Sequence, residues 1–475
     1  MLIGWGFLVR IIPYLHNRNL WYDEANLATG IITLPFSQLA GGLPYDQSAP
    51  LFFLYLQKMI VSVLGTSEMA LRLAPLLAGL LSIVIFAKIV QRLLPYPFAA
   101  IALTFFVFNS NLVYFSSEVK QYSIDVLAAV SMSYLTLLLL DNLENKKKWM
   151  YLSFWGSLFI WFSQPIVFVL AGVWLALLVQ LLRKKETIKN ILFPTICWTI
   201  SFGLFFYLQI LPTLENANLV DYHTEYFMPL KFWEVENWRW YADAFLRILG
   251  NPGGFFYKWL ALPFALIGGY ATWQKGSVAL WLLVVVPFMI AFLASGLGLY
   301  STIPRLLLFT GPAILLWVSF GLFYFYKKIE KWAFGKWIVG LVTGLLILQT
   351  FLNTAIHNMA KFKREEITTA LQDIEKNRQP TDELYAYAFT DAALRYYLPI
   401  YPNCTPTIYG QPLYKDWQAD FSTLKSGQKV WFLFAHYKSE KGREDKIILN
   451  YVDGKATQLK AGSDKNTRWY LYEWK

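Results

Sequence analysis

APLFFLYLQKMIVSVLG, residues 49–65, decides the topology of this chain. The segment is apolar enough to be taken for a membrane crossing, and a crossing here would reverse the side of every later connection. Further apolar runs near 1–16, 72–93, 97–115, 122–140, 149–163, 165–182, 190–211, 256–274, 278–299, 304–325 and 336–355 suit a bilayer core about 30 Å thick, which makes eleven spans. With residues 49–65 kept out of the membrane, one set of connections carries Arg92, the KKK of 146–148, the RKK of 183–185, Lys189, Lys275 and Lys327. That set holds 14 basic and 4 acidic residues, against 9 and 12 in the opposite loops. Basic loops stay cytoplasmic. Residues 49–65 are therefore expected as an amphipathic or re-entrant helix at the interface, inside a first exported loop of 17–71.

Composition agrees with that reading. Of 475 residues 56% are hydrophobic, 18% aromatic and 15% charged, which excludes an ordinary water-soluble enzyme. Residues 1–355 carry 40 charged side chains, whereas 356–475 carry 33 of 120, so the last quarter is expected as a separate exported domain. A helical stretch from Lys363 to Asn377 and strand-like runs ELYAYAF, KVWFLFAHY and TRWYLYEWK make it a small α/β domain. The net charge of +11 punctuates apolar runs without forming a basic stripe, which argues against nucleic acid as a partner. Cys197 and Cys404 are too few for a disulfide framework, and His16, His223, His357 and His436 lack zinc-site spacing. No phosphate-binding glycine loop is present. The first run gives only about 24 Å at 1.5 Å per residue and contains Arg10, as expected if the start codon is misassigned; no cleavable signal peptide is expected.

Polar residues gather at the exported junctions. LWYDEA places Asp23 and Glu24 directly after the first span, where two adjacent acids serve either chemistry or the capping of a helix N-terminus. YFSSEVKQYSID, residues 114–125, brings Glu118, Lys120, Tyr122 and Asp125 to the next exported junction, where a structural ion pair is the plainer alternative. An acid one turn into a span needs a cavity or a partner. Arg305 stands at the exported mouth of the tenth span, and Gln47 precedes the interfacial helix in YDQSAPLFF. Snorkelling to lipid phosphate is the plainer role for Arg305. The second exported loop, 213–255, is rich in Trp233, Trp238, Trp240, Tyr222, Tyr226 and Tyr241, as interfacial anchors or a carbohydrate-stacking surface.

Taken in order, WYDEA, QSAPLFF, GTSEMALRLAPLLAG (65–79) and YFSSEVKQYSID resemble the GT-C class of glycosyltransferases. The likeness is to family 39-like bacterial enzymes related to protein O-mannosyltransferases and the lipid A aminoarabinose transferase, over about residues 5–355. Lysine stands at 120 where arginine is commoner in that family, and no Lys-Pro-Pro run precedes residue 49. The resemblance implies a polytopic α-helical domain over 1–355, an exported α/β domain over 356–475, and a bacterial plasma membrane. It implies transfer of a sugar, with inversion, from a polyprenyl-phosphate donor to a hydroxyl of a glycan, lipid or protein acceptor. Asp23 would be the catalytic base with Glu24 beside it, while Lys120 and Arg305 would stabilise the leaving phosphate. Glu118, Tyr122 and Gln47 would bind donor phosphate or sugar. No cofactor is expected to be required, although a divalent metal could bridge Asp23 and phosphate. The competing expectations are a flippase for lipid-linked saccharides and a non-catalytic envelope scaffold.

Overall fold

In a computed structural model the chain is described over residues 1–214, 224–274, 278–359, 364–439 and 442–475; Tyr222, His223, Lys275 and Lys363 lie outside these stretches. Among the described residues, seven helices are long and apolar enough to cross a membrane. They are Glu68–Leu93, Tyr122–Asp141, Ile166–Lys184, Lys189–Thr213, Val278–Gly296, Leu308–Ile329 and Gly335–Thr354. The other four expected spans form helices of 14, 10, 15 and 17 residues: Leu2–Leu15, Phe98–Val107, Lys146–Ile160 and Lys258–Gln274. These fall short of the roughly 20 residues of a straight crossing. The protein is thus a multi-pass helical membrane protein with a small C-terminal sheet.

The following labels are used for the N-terminal elements: α1 Leu2–Leu15, α2 Tyr22–Thr33, α3 Leu51–Leu64, α4 Glu68–Leu93, α5 Phe98–Val107, α6 Ser110–Phe115 and α7 Tyr122–Asp141. The expected span 97–115 is broken into α5 and α6, and Arg10 explains the break. Its guanidinium, buried on α1, donates to the carbonyls of Phe106 and Val107, each at 3.3 Å, and lies over the Phe106 ring. Those carbonyls belong to the last turn of α5, where helical partners run out and negative charge collects. Asn109 then opens α6, its side-chain oxygen accepting from the amides of Asn111 and Leu112. Gly79 on α4 lets this corner close: a Cβ there would sit 2.8 Å from that of Ser116.

Residues 51–64 form α3, which packs on α2 and α4. Leu51, Phe53, Leu54 and Val61 share a buried cluster with Leu371, Tyr397 and Trp431 of the tail. A segment that packs on the tail lies at the tail's end of the bundle, as the charge pattern of the connections requires.

The tail sheet has strands β1 Glu383–Ala386, β2 Ile408–Tyr409, β3 Lys429–Ala435, β6 Ala456–Asp464 and β7 Thr467–Trp474, in the order β2-β1-β3-β7-β6. A separate two-stranded ribbon pairs β4 Lys438–Ser439 with β5 Gly442–Arg443. Strands β2, β1 and β3 are parallel, and β7 runs against both its neighbours. The unbroken apolar run of β3 reflects burial on both faces. Successive side chains alternate sides, so Trp431, Leu433 and Ala435 face the cluster shared with α2 and α3, while Val430, Phe432 and Phe434 face a second core with Ile448 and Val452.

Candidate active site

Helix α2 carries both sequence-flagged acids in its first turn, and the fold sends them to different surroundings. Glu24 is fully enclosed. Arg72, on α4, grips it with two parallel bonds, Nε to Oε1 at 3.0 Å and Nη2 to Oε2 at 2.9 Å. The Val119 amide donates to Oε1 at 2.8 Å, and Arg18 stands 3.7 Å from Oε2. Burial pushes this carboxyl up, but the Arg72 and Arg18 charges and the Val119 amide outweigh it and hold Glu24 below the usual carboxylate range. Glu24 therefore ties α2 to α4 and to the turn before α7, and it is spent on that role.

Asp23 points the other way. Its side chain is 22% exposed, and Arg305 Nη1 lies 3.5 Å from its Oδ2. Lys120 is buried and donates from Nζ to Gln47 Oε1 at 2.7 Å. Burial pushes the Lys120 ammonium below its usual range, with the Asp23 charge opposing that shift and the Arg305 charge adding to it. Tyr122 opens α7 with its ring edge-on to Phe115, within the fields of Arg305 and Asp23. Asp23, Arg305, Lys120, Gln47 and Tyr122 are thus brought together from four separate stretches of chain.

Glu118 is enclosed on the far side of Trp21, whose indole N–H donates to its Oε1 at 3.0 Å. Burial and the neighbouring Glu24 charge push Glu118 above the ordinary carboxylate range. Its Oε2 is buried without a hydrogen-bond partner, unlike either oxygen of Glu24.

Several site-forming residues carried no local signal. Arg72 sits inside GTSEMALRLAP, one turn into α4, where a buried cation is itself unusual. The tail contributions could not be read locally at all. Arg364 lies over the Trp21 ring, 3.3 Å from its centre, and donates to the Tyr114 hydroxyl. Glu365 Oε2 accepts the Tyr22 amide N–H at 3.1 Å, 343 residues away in sequence. In the aromatic second loop, Trp233 and Trp238 are exposed and Trp240 lies beneath Arg247.

A divalent cation fits this site poorly. Such ions need several oxygen ligands, and the near neighbour of Asp23 is a guanidinium. Among the described residues no group of three His, Cys, Asp or Glu gathers anywhere.

Comparison with known proteins bears on the fold. Residues 48–210 match the family model described as dolichyl-phosphate-mannose-protein mannosyltransferase. No curated protein matches significantly. The structure of ArnT from Cupriavidus metallidurans in the apo state superposes with a TM-score of 0.56 at 12% identity, covering 98% of both chains. An Archaeoglobus fulgidus oligosaccharyltransferase, solved with Zn and sulfate, superposes with a TM-score of 0.52 at 11% identity, over 99% of this chain and 73% of that one. The chain is a multi-pass membrane protein with the fold of the GT-C class of membrane glycosyltransferases, and its residues 48–210 are similar to a protein mannosyltransferase family.

Proposed function

We propose that the protein transfers a hexose or pentose from a polyprenyl-phosphate carrier to an acceptor hydroxyl at the exported face of a bacterial plasma membrane, inverting the anomeric carbon. The observation that carries this reading is Asp23 set 3.5 Å from Arg305, with Lys120 in the field of both. One carboxylate and two cations at a membrane surface match the charges of the reaction. As the acceptor oxygen attacks, its proton passes to the Asp23 carboxylate. The bond from the anomeric carbon to the phosphate oxygen breaks, and its electron pair leaves with the phosphate, whose charge grows by one. Lys120 and Arg305 oppose that growing charge. Tyr122 and Gln47 hold the sugar or the Lys120 ammonium. Glu24 acts as a positioning residue, because protein groups occupy both its oxygens, whereas Glu118 accepts from Trp21 through Oε1 and keeps a buried Oε2 without a hydrogen-bond partner.

An apolar cavity of about 60 Å³ is lined by Phe86, Val130, Val169, Val284, Phe309 and Leu316. The description of the matched family names a polyprenyl-phosphate mannose, which supports a lipid-phosphate sugar as donor. The activated carrier supplies the energy. The acceptor is a glycan, lipid or protein brought to the C-terminal domain, which this reading places on the exported side.

The test is mass spectrometry of envelope glycolipids, glycans and glycoproteins from a deletion strain complemented with wild type or Asp23→Asn. One defined sugar is expected to vanish in the deletion and to return with wild type alone. Equal restoration by both forms would remove Asp23 as the base and move weight to lipid-linked saccharide transport.

A further inference from the structure

The start of α2 is held on one side by the C-terminal domain, while Glu24 in the same turn is held by Arg72, Arg18 and the Val119 amide. The residue preceding the helix, Trp21, makes no side-chain cap. The exposed first-turn amide is met instead by Glu365, buried at 5% exposure, which accepts from Tyr22 N–H. The other oxygen of Glu365 lies 2.5 Å from His436 Nδ1, and the His436 ring stacks on Tyr22 with centres 4.7 Å apart. The Tyr397 hydroxyl accepts from the Leu20 amide and donates to Glu68, and Arg364 covers Trp21. These contacts on residues 20–22 come from beyond residue 363, beside the bond from the Trp21 indole N–H to Glu118. Asp23 is the next residue.

We propose that Glu365, oriented by His436, is a positioning residue for Asp23: a cap supplied by the C-terminal domain that fixes where the Asp23 carboxylate meets the acceptor. This rests on Asp23 being the base. A helix whose first amides lack partners frays at that end, and the carboxylate one residue along moves with it. General-base transfer is sensitive to such movement, since a misplacement of about 1 Å costs on the order of 100-fold in rate. Donor phosphate is held by Lys120 and Arg305, which Glu365 does not touch, so its binding stays as it is.

The test uses the full-length chain in membranes, with transfer measured on the acceptor found in the complementation experiment, and binding measured with undecaprenyl phosphate on the purified full-length protein. Glu365→Leu removes the acceptor for the Tyr22 amide and is expected to lower kcat by about 100-fold while leaving undecaprenyl phosphate affinity unchanged. Glu365→Gln keeps an acceptor oxygen and is expected to restore most of the rate. Wild-type kcat in Glu365→Leu, or equal loss in Glu365→Gln, overturns the proposal, as does loss of undecaprenyl phosphate binding in step with kcat. Should Glu365→Leu fail to reach the membrane, His436→Ala frees the carboxylate and decides by the same split: lower kcat with unchanged binding supports the proposal, and unchanged kcat overturns it. Full transfer by Asp23→Asn sinks the assignment of the base itself. An inactive Asp23→Asn beside a fully active Glu365→Leu sinks only the role given to Glu365.

Discussion

Asp23 and Glu24 are neighbours on paper and opposites in the fold. The sequence shows two acids at a membrane surface; it does not show that Arg72, 48 residues on, closes over one and leaves the other beside Arg305. Removing one partner of a buried ion pair leaves the other charge uncompensated, at a cost of about 3–5 kcal/mol. Arg72→Met is therefore expected to destabilise the protein by that order, seen as a lower melting temperature in detergent. The double variant Arg72→Met, Glu24→Leu should recover part of the loss, because the Glu24 charge is no longer stranded while buried Arg18 loses its neighbouring carboxylate. Lys120 makes a different prediction. Burial favours its neutral form, so it loses its proton below the usual lysine value of about 10.4, and affinity for undecaprenyl phosphate should fall as pH rises through that lowered value. Over the same window the unfolded chain binds more protons than the folded one, so the contribution of Lys120 to stability rises with pH. Affinity and stability thus move in opposite directions, which separates loss of a phosphate-binding charge from unfolding. Lys120→Arg keeps its charge throughout and should show no such alkaline loss of affinity.

At the scale of the element, periodicity and charge located the long helices but missed how α5 ends. Residues 97–115 read as one span because nothing in their hydropathy marks residue 108. The cause lies on α1, where Arg10 meets the carbonyls of Phe106 and Val107. What looked like a blemish in a short first span is the cap of another helix. The break matters for the site, since it lets α6 and the turn at 116–121 bring Glu118, Val119 and Lys120 under α2. Arg10→Leu strips charged hydrogen bonds from buried carbonyls, each bond worth about 1.5–3 kcal/mol. A lowered melting temperature is expected, together with partial loss of transfer as the 116–121 turn loosens. A variant that melts like wild type would remove Arg10 as the origin of the break. For α3 the charge arithmetic of distant loops and the local hydropathy point different ways, because sidedness is a property of the whole series of connections.

For the whole molecule, the least legible feature is the union of tail and bundle. Strands β1, β3 and β7 could be read from their apolar runs and turn residues while β2 and β6 were not, and nothing local says that Trp431 and Leu433 face helices more than 300 residues earlier. Contacts of that range are absent from any window of sequence. Their consequence is a sidedness that can be checked. The tail, α2, α3 and Asp23 share one end of the bundle, whereas Lys331 lies in the connection between Leu308–Ile329 and Gly335–Thr354, at the opposite end. If basic connections are cytoplasmic, Tyr414, 78% exposed on the tail, faces the exported side. Single cysteines at these two positions give the measurement, with Cys404 buried and Cys197 lying within a span. In intact cells with the plasma membrane laid bare, a membrane-impermeant maleimide is expected to label Tyr414→Cys at once and Lys331→Cys only after permeabilisation. The reverse pattern would put Asp23 on the cytoplasmic face, where a polyprenyl-phosphate sugar would have to be used before export, and would overturn the exported reaction while leaving the geometry of the site intact.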